Sequence, residues 1–154
     1  SAAIASRLEA LMIGHDLDVS GVGGTLTGSA LAMSAMKATL STSLLEKDFE
    51  QTIGLAKAWA HGVKDVCVEF DLDWHVQQLG CRAEYWFCPP PVNGAQAAAS
   101  VNPELEAYLH LAALNRGILL TPFHNMALFS VYHDITDVIK HTDVFRECIS
   151  AIAS

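Results

Sequence analysis

Apolar residues recur every three or four positions along most of this chain, and that spacing sets out its elements. Between 2 and 13, Ile4, Leu8, Leu11 and Met12 predict an amphipathic helix that stops at Gly14. Residues 15–20 alternate only weakly and read as a connector or short strand. From 28 to 42 the side chains leave almost no polar face, and Lys37 is the one charge. That predicts a helix buried nearly all round. The longest periodic stretch is 45–70, where Leu45, Phe49, Ile53, Ala56, Ala60, Val63, Cys67 and Phe70 form a stripe between charged positions. It predicts a surface helix laid on a core, weakened at Gly54 or Gly62 and ended by Asp71-Leu72-Asp73.

The period then changes to two. Residues 74–78 and 81–88 predict two strands joined through Leu79-Gly80. In the second, Cys81, Ala83, Tyr85 and Phe87 share one face, and Arg82, Glu84 and Trp86 the other. Three prolines at 89–91 forbid further ladder pairing, and 92–101 reads as a loop. Asn102-Pro103-Glu104 starts a helix with a capping side chain, a proline at the first position and an acid in the first turn. That helix runs to Arg116 and stops at Gly117. Short strands are expected at 118–120, ending at Pro122, and at 127–132. Asp134 caps a last helix whose inner face is Val138, Ile139, Phe145, Cys148, Ile149 and Ile152. Residues 45–154 therefore predict an α+β unit, a small sheet covered by helices, and 1–44 a helical lead-in to it.

Composition narrows the class. The 154 residues are 51% hydrophobic and 17% charged, which suits one globular domain or a large piece of one. A net charge of −8 with no stripe of Lys and Arg argues against nucleic acid and against an anionic membrane surface. No apolar run reaches the ~18 residues of a membrane helix. Cys67, Cys81, Cys88 and Cys148 form no CxxC pair, which predicts reduced, mostly buried thiols and a cytoplasmic protein. The seven histidines lack ligand spacing, so no metal site is expected.

Four places could carry chemistry. Gly21, Gly23 and Gly24 run into Thr25, and such a turn before a helix can cradle an anion. It can equally be a loop entering a closely packed helix. Arg82 offers a guanidinium fork for a substrate carboxylate, or it pairs with Glu84 on the same strand face. His124 and Asn125 stand between two strands, as a pocket wall or an exposed turn. Ser130 and His133 are close in sequence, but strand alternation would send them to opposite faces, so they read as structural.

Together these segments resemble a known family. Gly24-Thr25-Leu26-Thr27-Gly28-Ser29-Ala30-Leu31-Ala32-Met33 is similar to the G-T-L-S-G-N-P-L-A-M signature of the class III pyridoxal-phosphate aminotransferases. A long helix, the strand segment VQQLGCRAEYWF, the run LNRGILLTP at 114–122 and Ser130…His133-Asp134-Ile135-Thr136-Asp137 follow in the family's order. Ser29-Ala30 replace its Asn-Pro. Asn125 and Met126 stand near the place of an acid in the family's aminomutases.

The resemblance implies an α+β chain: the end of a fold-type I large cofactor domain (1–44), then the small C-terminal domain (45–154). It implies a homodimer with a shared active site, in which Gly24 and Thr25 contact the phosphate of pyridoxal 5'-phosphate in the neighbouring subunit's site. It implies amino-group transfer between an amino acid and a keto acid, or a glutamate-1-semialdehyde-type aminomutase reaction. Arg82, His124 and Asn125 would line the substrate side. The family's Schiff-base lysine stands in a glycine-rich strand turn. None of Lys37, Lys47, Lys57, Lys64 and Lys140 has that context, so this stretch alone is expected to be inactive and to hold no covalent cofactor. The alternative is a non-catalytic α+β binding or dimerisation module. Either way, the apolar helix at 28–42 is expected to be covered by another copy or by neighbouring helices.

Overall fold

A computed structural model describes residue 6, residues 26–121 and residues 124–153. The helix expected at 2–13, the connector at 15–20, the glycine turn at 21–25 and Pro122 lie outside these residues, Ser6 and the last turn of the signature excepted. The chain divides into two compact units, Ser1–Leu44 and Leu45–Ser154.

The first unit contributes α1 (Ala30–Thr42). Gly28 has a positive φ of 73°, and the Ser29 hydroxyl accepts from the Ala32 N–H at 3.2 Å, so Ser29 is the N-cap. A serine at this place satisfies one of the free N–H groups of the first turn. No residue of α1 is buried, and Leu31 is 82% exposed. The expectation of all-round burial is corrected here: an apolar surface calls for a neighbour but does not supply one.

The second unit is built on α2 (Glu46–Glu69). The Asp48 carboxylate accepts the Leu45 N–H at its start, and Asp71, at φ 53°, follows its end. Gly54 and Gly62 do not interrupt it. Its buried face is Thr52, Leu55, Ala56, Trp59, Val63, Val66 and Cys67. Phe49 and Ile53, assigned to the inner stripe from spacing, are exposed. The stripe is turned because Thr52 buries its hydroxyl by donating to the Asp48 and Phe49 carbonyls, which lets a polar residue face inward.

The antiparallel sheet has the order β1 (His75–Leu79), β2 (Arg82–Trp86) and β3 (Met126–Leu128). Leu79 pairs with Arg82 across a tight turn in which Gly80 takes a φ of 59°, a left-handed value that favours glycine. Ala83 and Tyr85 point into the core. The stretch read as a loop at 92–101 contains α3 (Gly94–Ala99), closed by Asn93 accepting the Gln96 N–H and by Gln96 accepting the Val92 N–H. Small residues hid it, since they carry no apolar periodicity. The expected α4 (Pro103–Leu114) is capped by Asn102, and Gly117 follows with a φ of 76°. Residues 118–120 form no strand, because Ile118 spends its N–H on the Ala113 carbonyl in closing that helix.

In α5 (Ile135–Ala153), Asp134 accepts the Thr136 N–H at 2.7 Å, and Asp137 accepts the Asp134 N–H. The buried face is Val138, His141, Val144, Phe145, Cys148 and Ile149, whereas Ile139 and Ile152 are exposed. The helix is rotated because His141 sits inside. Its ring lies 5.0 Å from that of Trp59 and 6.0 Å from that of Phe145. Burial holds its pKa down at about 4.

That burial sets a pH dependence. The unfolded chain takes a proton on His141 near the ordinary pKa of about 6.5, and the folded chain only near 4. The stability from neutral burial is whole above about pH 6.5 and falls as pH drops toward 4, by about 3 kcal/mol. Denaturant unfolding at pH 7 and pH 4.5 measures it. His141→Gln should flatten the loss between the two, and an equal loss in the variant contradicts the assignment.

Candidate functional site

Gly24 and Thr25 lie outside the described residues. The three substrate-side candidates all belong to the second unit, and backbone pairing brings them to one place. Tyr85 donates its N–H to the Asn125 carbonyl at 3.1 Å, one step beyond the Glu84–Met126 pair of β2 and β3. This lays 124–125 alongside the end of β2. Alternation puts Arg82, Glu84 and Trp86 on the face opposite the buried Ala83 and Tyr85.

Glu84 is the hub. Its Oε2 accepts from Arg82 Nη2 at 2.7 Å, and its Oε1 lies 3.5 Å from His124 Nδ1. The Glu84 side chain is 13% exposed, against 52% for Arg82 and 53% for His124. A sheltered carboxylate is therefore held between a guanidinium and an imidazole, both more exposed than itself. The Asn125 side-chain oxygen is buried and accepts no hydrogen bond. Glu84, His124 and Asn125 line a cavity of about 360 Å³ between β2, α3 and α4, and Trp86 and Phe87 supply aromatic wall. Glu106, from the first turns of α4, adds a second carboxylate. Arg82 is not among the lining residues.

Two of these features were not anticipated. Glu84 was recognised as an Arg82 partner by its place two residues along a strand. Its approach to His124 spans 40 residues and depends on the β2–β3 register. Glu106 shares the cavity with Ala97, Ser100 and Val101, from a stretch that spacing reads as a loop.

Ser130 and His133 also differ from expectation. β3 ends at Leu128, so strand alternation does not apply. The Ser130 N–H donates to His133 Nδ1 at 3.0 Å, and the Ser130 hydroxyl lies 3.1 Å from the same nitrogen. The two close a turn ahead of α5, a structural role reached by contact rather than by separation. All four cysteines are free, Cys67 and Cys148 buried and Cys81 and Cys88 half-buried. No cluster suited to a metal ion occurs among the described residues. Nor is any described helix long and apolar enough to cross a membrane.

No family model matches the chain. Among characterised proteins it is 29% identical over 130 residues to glutamate-1-semialdehyde 2,1-aminomutase 2 of Oceanobacillus iheyensis, covering 84% of this chain and 30% of that protein. Among solved structures it is similar to a glutamate-1-semialdehyde aminomutase from Pseudomonas aeruginosa PAO1. The identity is 40% and the TM-score 0.83, over 97% of this chain and 34% of the other. A structure of a variant from the same organism, in complex with PMP, matches to the same degree. An omega-transaminase from Sphaerobacter thermophilus shares the fold, with a TM-score of 0.61 and 18% identity over 77% of this chain and 26% of the other. The chain spans about a third of the length of these relatives.

These likenesses make the chain class III pyridoxal-phosphate aminotransferase-like. Its small antiparallel sheet with covering helices matches the C-terminal portion of a fold-type I enzyme. The particular proteins it is set beside are the glutamate-1-semialdehyde aminomutases.

An ion pair this exposed on the arginine side contributes little to folding. Arg82→Ala should change the unfolding free energy by less than about 1 kcal/mol. A larger loss in denaturant unfolding would make the pair a structural one.

Proposed function

We propose that this chain is the part of a pyridoxal-phosphate-dependent aminotransferase or aminomutase that completes the cofactor's phosphate contact and walls one side of the substrate cavity. The observation that carries this is the 40% identity to an aminomutase over 97% of the chain. The order of the signature segments supports it. Gly24 and Thr25 would present an N–H and a hydroxyl to the phosphate at the neighbouring subunit's site, in a homodimer. The chemistry of glycine before a helix start favours an anion there. His124 and Asn125 belong to the wall facing a small amino acid or keto acid, and Arg82 bears on that wall through Glu84, which it shares with His124. The four free cysteines fit a cytoplasmic setting.

The residues of this chain do not fit the cofactor's covalent anchor. All five lysines are exposed, Lys37 on the bare face of α1 and Lys140 near the Gly117 carbonyl. A Schiff-base lysine works from a desolvated pocket that lowers its pKa. The cofactor supplies the electron sink for amino transfer. The phosphate contact and the cavity wall are what this stretch adds, and alone it is inactive.

Two measurements test this. Pyridoxal phosphate and borohydride added to the purified chain should leave no stoichiometric lysine adduct by mass spectrometry, and one adduct at a single lysine would contradict the assignment. In the intact enzyme that carries this sequence, Thr25→Ala should weaken cofactor binding about tenfold, the loss of one hydrogen bond to a charged group. Unchanged affinity would remove Thr25 from the phosphate site.

A further inference from the structure

We propose that the cavity between α2, β3 and α5 binds a small uncharged molecule, one with an apolar body and a single oxygen that accepts hydrogen bonds. Its volume is about 120 Å³, and it shares no described lining residue with the cavity at the end of β2. It is a site separate from the substrate wall, and its recognition of a ligand does not rest on the function proposed above.

Its wall carries hydrogen-bond donors without acceptors. Trp59 lines the cavity, is 1% exposed, and its indole N–H meets no partner. An indole nitrogen only donates, so the partner it lacks is an acceptor. His133 adds a second donor. Its Nδ1 accepts the Ser130 N–H, which leaves the proton of the neutral ring on Nε2. His141 also lines the cavity, is 6% exposed, and has an Nδ1 without a partner. Burial among aromatic rings keeps it uncharged, so its ring brings one N–H and one lone pair.

Charge and size define the ligand further. None of the described lining residues is a lysine or arginine, and Asp137 is the one carboxylate among them. That carboxylate already accepts the Asp134 N–H, in the first turn of α5, where the helix favours a negative charge. A ligand carboxylate would meet Asp137 with no cation to balance it, and a ligand cation would face the indole and imidazole N–H groups. An uncharged oxygen avoids both. Leu119, Leu120, Ala127 and Phe129 supply apolar wall for the rest of the molecule. An apolar cavity of about 150 Å³ holds a benzene ring, so one of about 120 Å³ suits a ring of about five carbons bearing one oxygen.

Proton–nitrogen NMR of the full chain, titrated with cyclopentanone and separately with butyrate, tests the proposal. The chain has three tryptophans, whose indole N–H resonances report them one by one. Cyclopentanone should bind saturably and move the Trp59 indole most, and butyrate should not bind. Trp74→Phe and Trp86→Phe, neither of which lines this cavity, assign the resonance by elimination. Trp59→Phe should weaken binding of the ketone about tenfold, the loss of one hydrogen bond. Methylenecyclopentane, which has the ketone's shape without its oxygen, makes the same comparison on the unaltered chain and should also bind about tenfold more weakly. Absence of saturable binding, a shift confined to Trp74 or Trp86, tighter binding of butyrate, or equal affinity for the ketone and the hydrocarbon would each overturn it.

Discussion

The second unit depends on how closely α2 approaches α5 at Gly62. A Cβ added there would overlap the Thr142 hydroxyl and lie 3.1 Å and 3.3 Å from the next two atoms of that side chain. Thr142 has little freedom to give way, because its hydroxyl donates to the Val138 carbonyl at 3.0 Å. Gly54, eight residues earlier on the same helix, has nothing within 4 Å of the same position. The absent side chain at 62 is thus a packing requirement between two helices. Beside it, Trp59 and His141 come to 5.0 Å, and Tyr85 stacks on Trp59 at 6.0 Å and meets Phe145 at 5.3 Å. Tyr85 is the link from core to site. Buried from β2, it fixes the strand whose opposite face carries Arg82 and Glu84, and its N–H holds Asn125 in place.

Much of this framework is legible in the sequence, because it is written in local chemistry. Asn102-Pro103, Asp134 and the glycines at 80 and 117 mark their boundaries through caps and left-handed turns, and the structure uses each in that way. The alternation of Ala83 and Tyr85 against Arg82 and Glu84 likewise needs only neighbouring residues. The failures have a common origin in contacts between distant residues. The phases of α2 and α5 were missed because Thr52 and His141 are polar yet buried, one paired to its own helix and the other kept neutral among aromatic rings. α3 carries no apolar pattern to read. The Glu84–His124 approach is set by strand register, which spacing along the chain does not encode.

The site changes in meaning once those contacts are known. From the sequence, Arg82 is either a guanidinium fork for a substrate acid or the partner of Glu84 on the same strand face. In the structure the second holds: Glu84 engages it, and the cavity beyond is lined by Glu84, Glu106, His124 and Asn125. Likeness to the aminomutases describes the chain as a whole; the side chains at the end of β2 describe one cavity within it. The two kinds of statement rest on separate observations, the first on identity and fold over nearly the whole chain, the second on a few residues in one cavity.

The place of this chain in a shared active site turns on the Gly24-Thr25 contact, and a crystal structure of the assembled enzyme with PMP bound addresses it most directly. The Gly24 N–H and Thr25 hydroxyl should lie about 3 Å from phosphate oxygens at the neighbouring subunit's site. A phosphate held wholly by other residues, with this turn remote from it, would contradict the assignment.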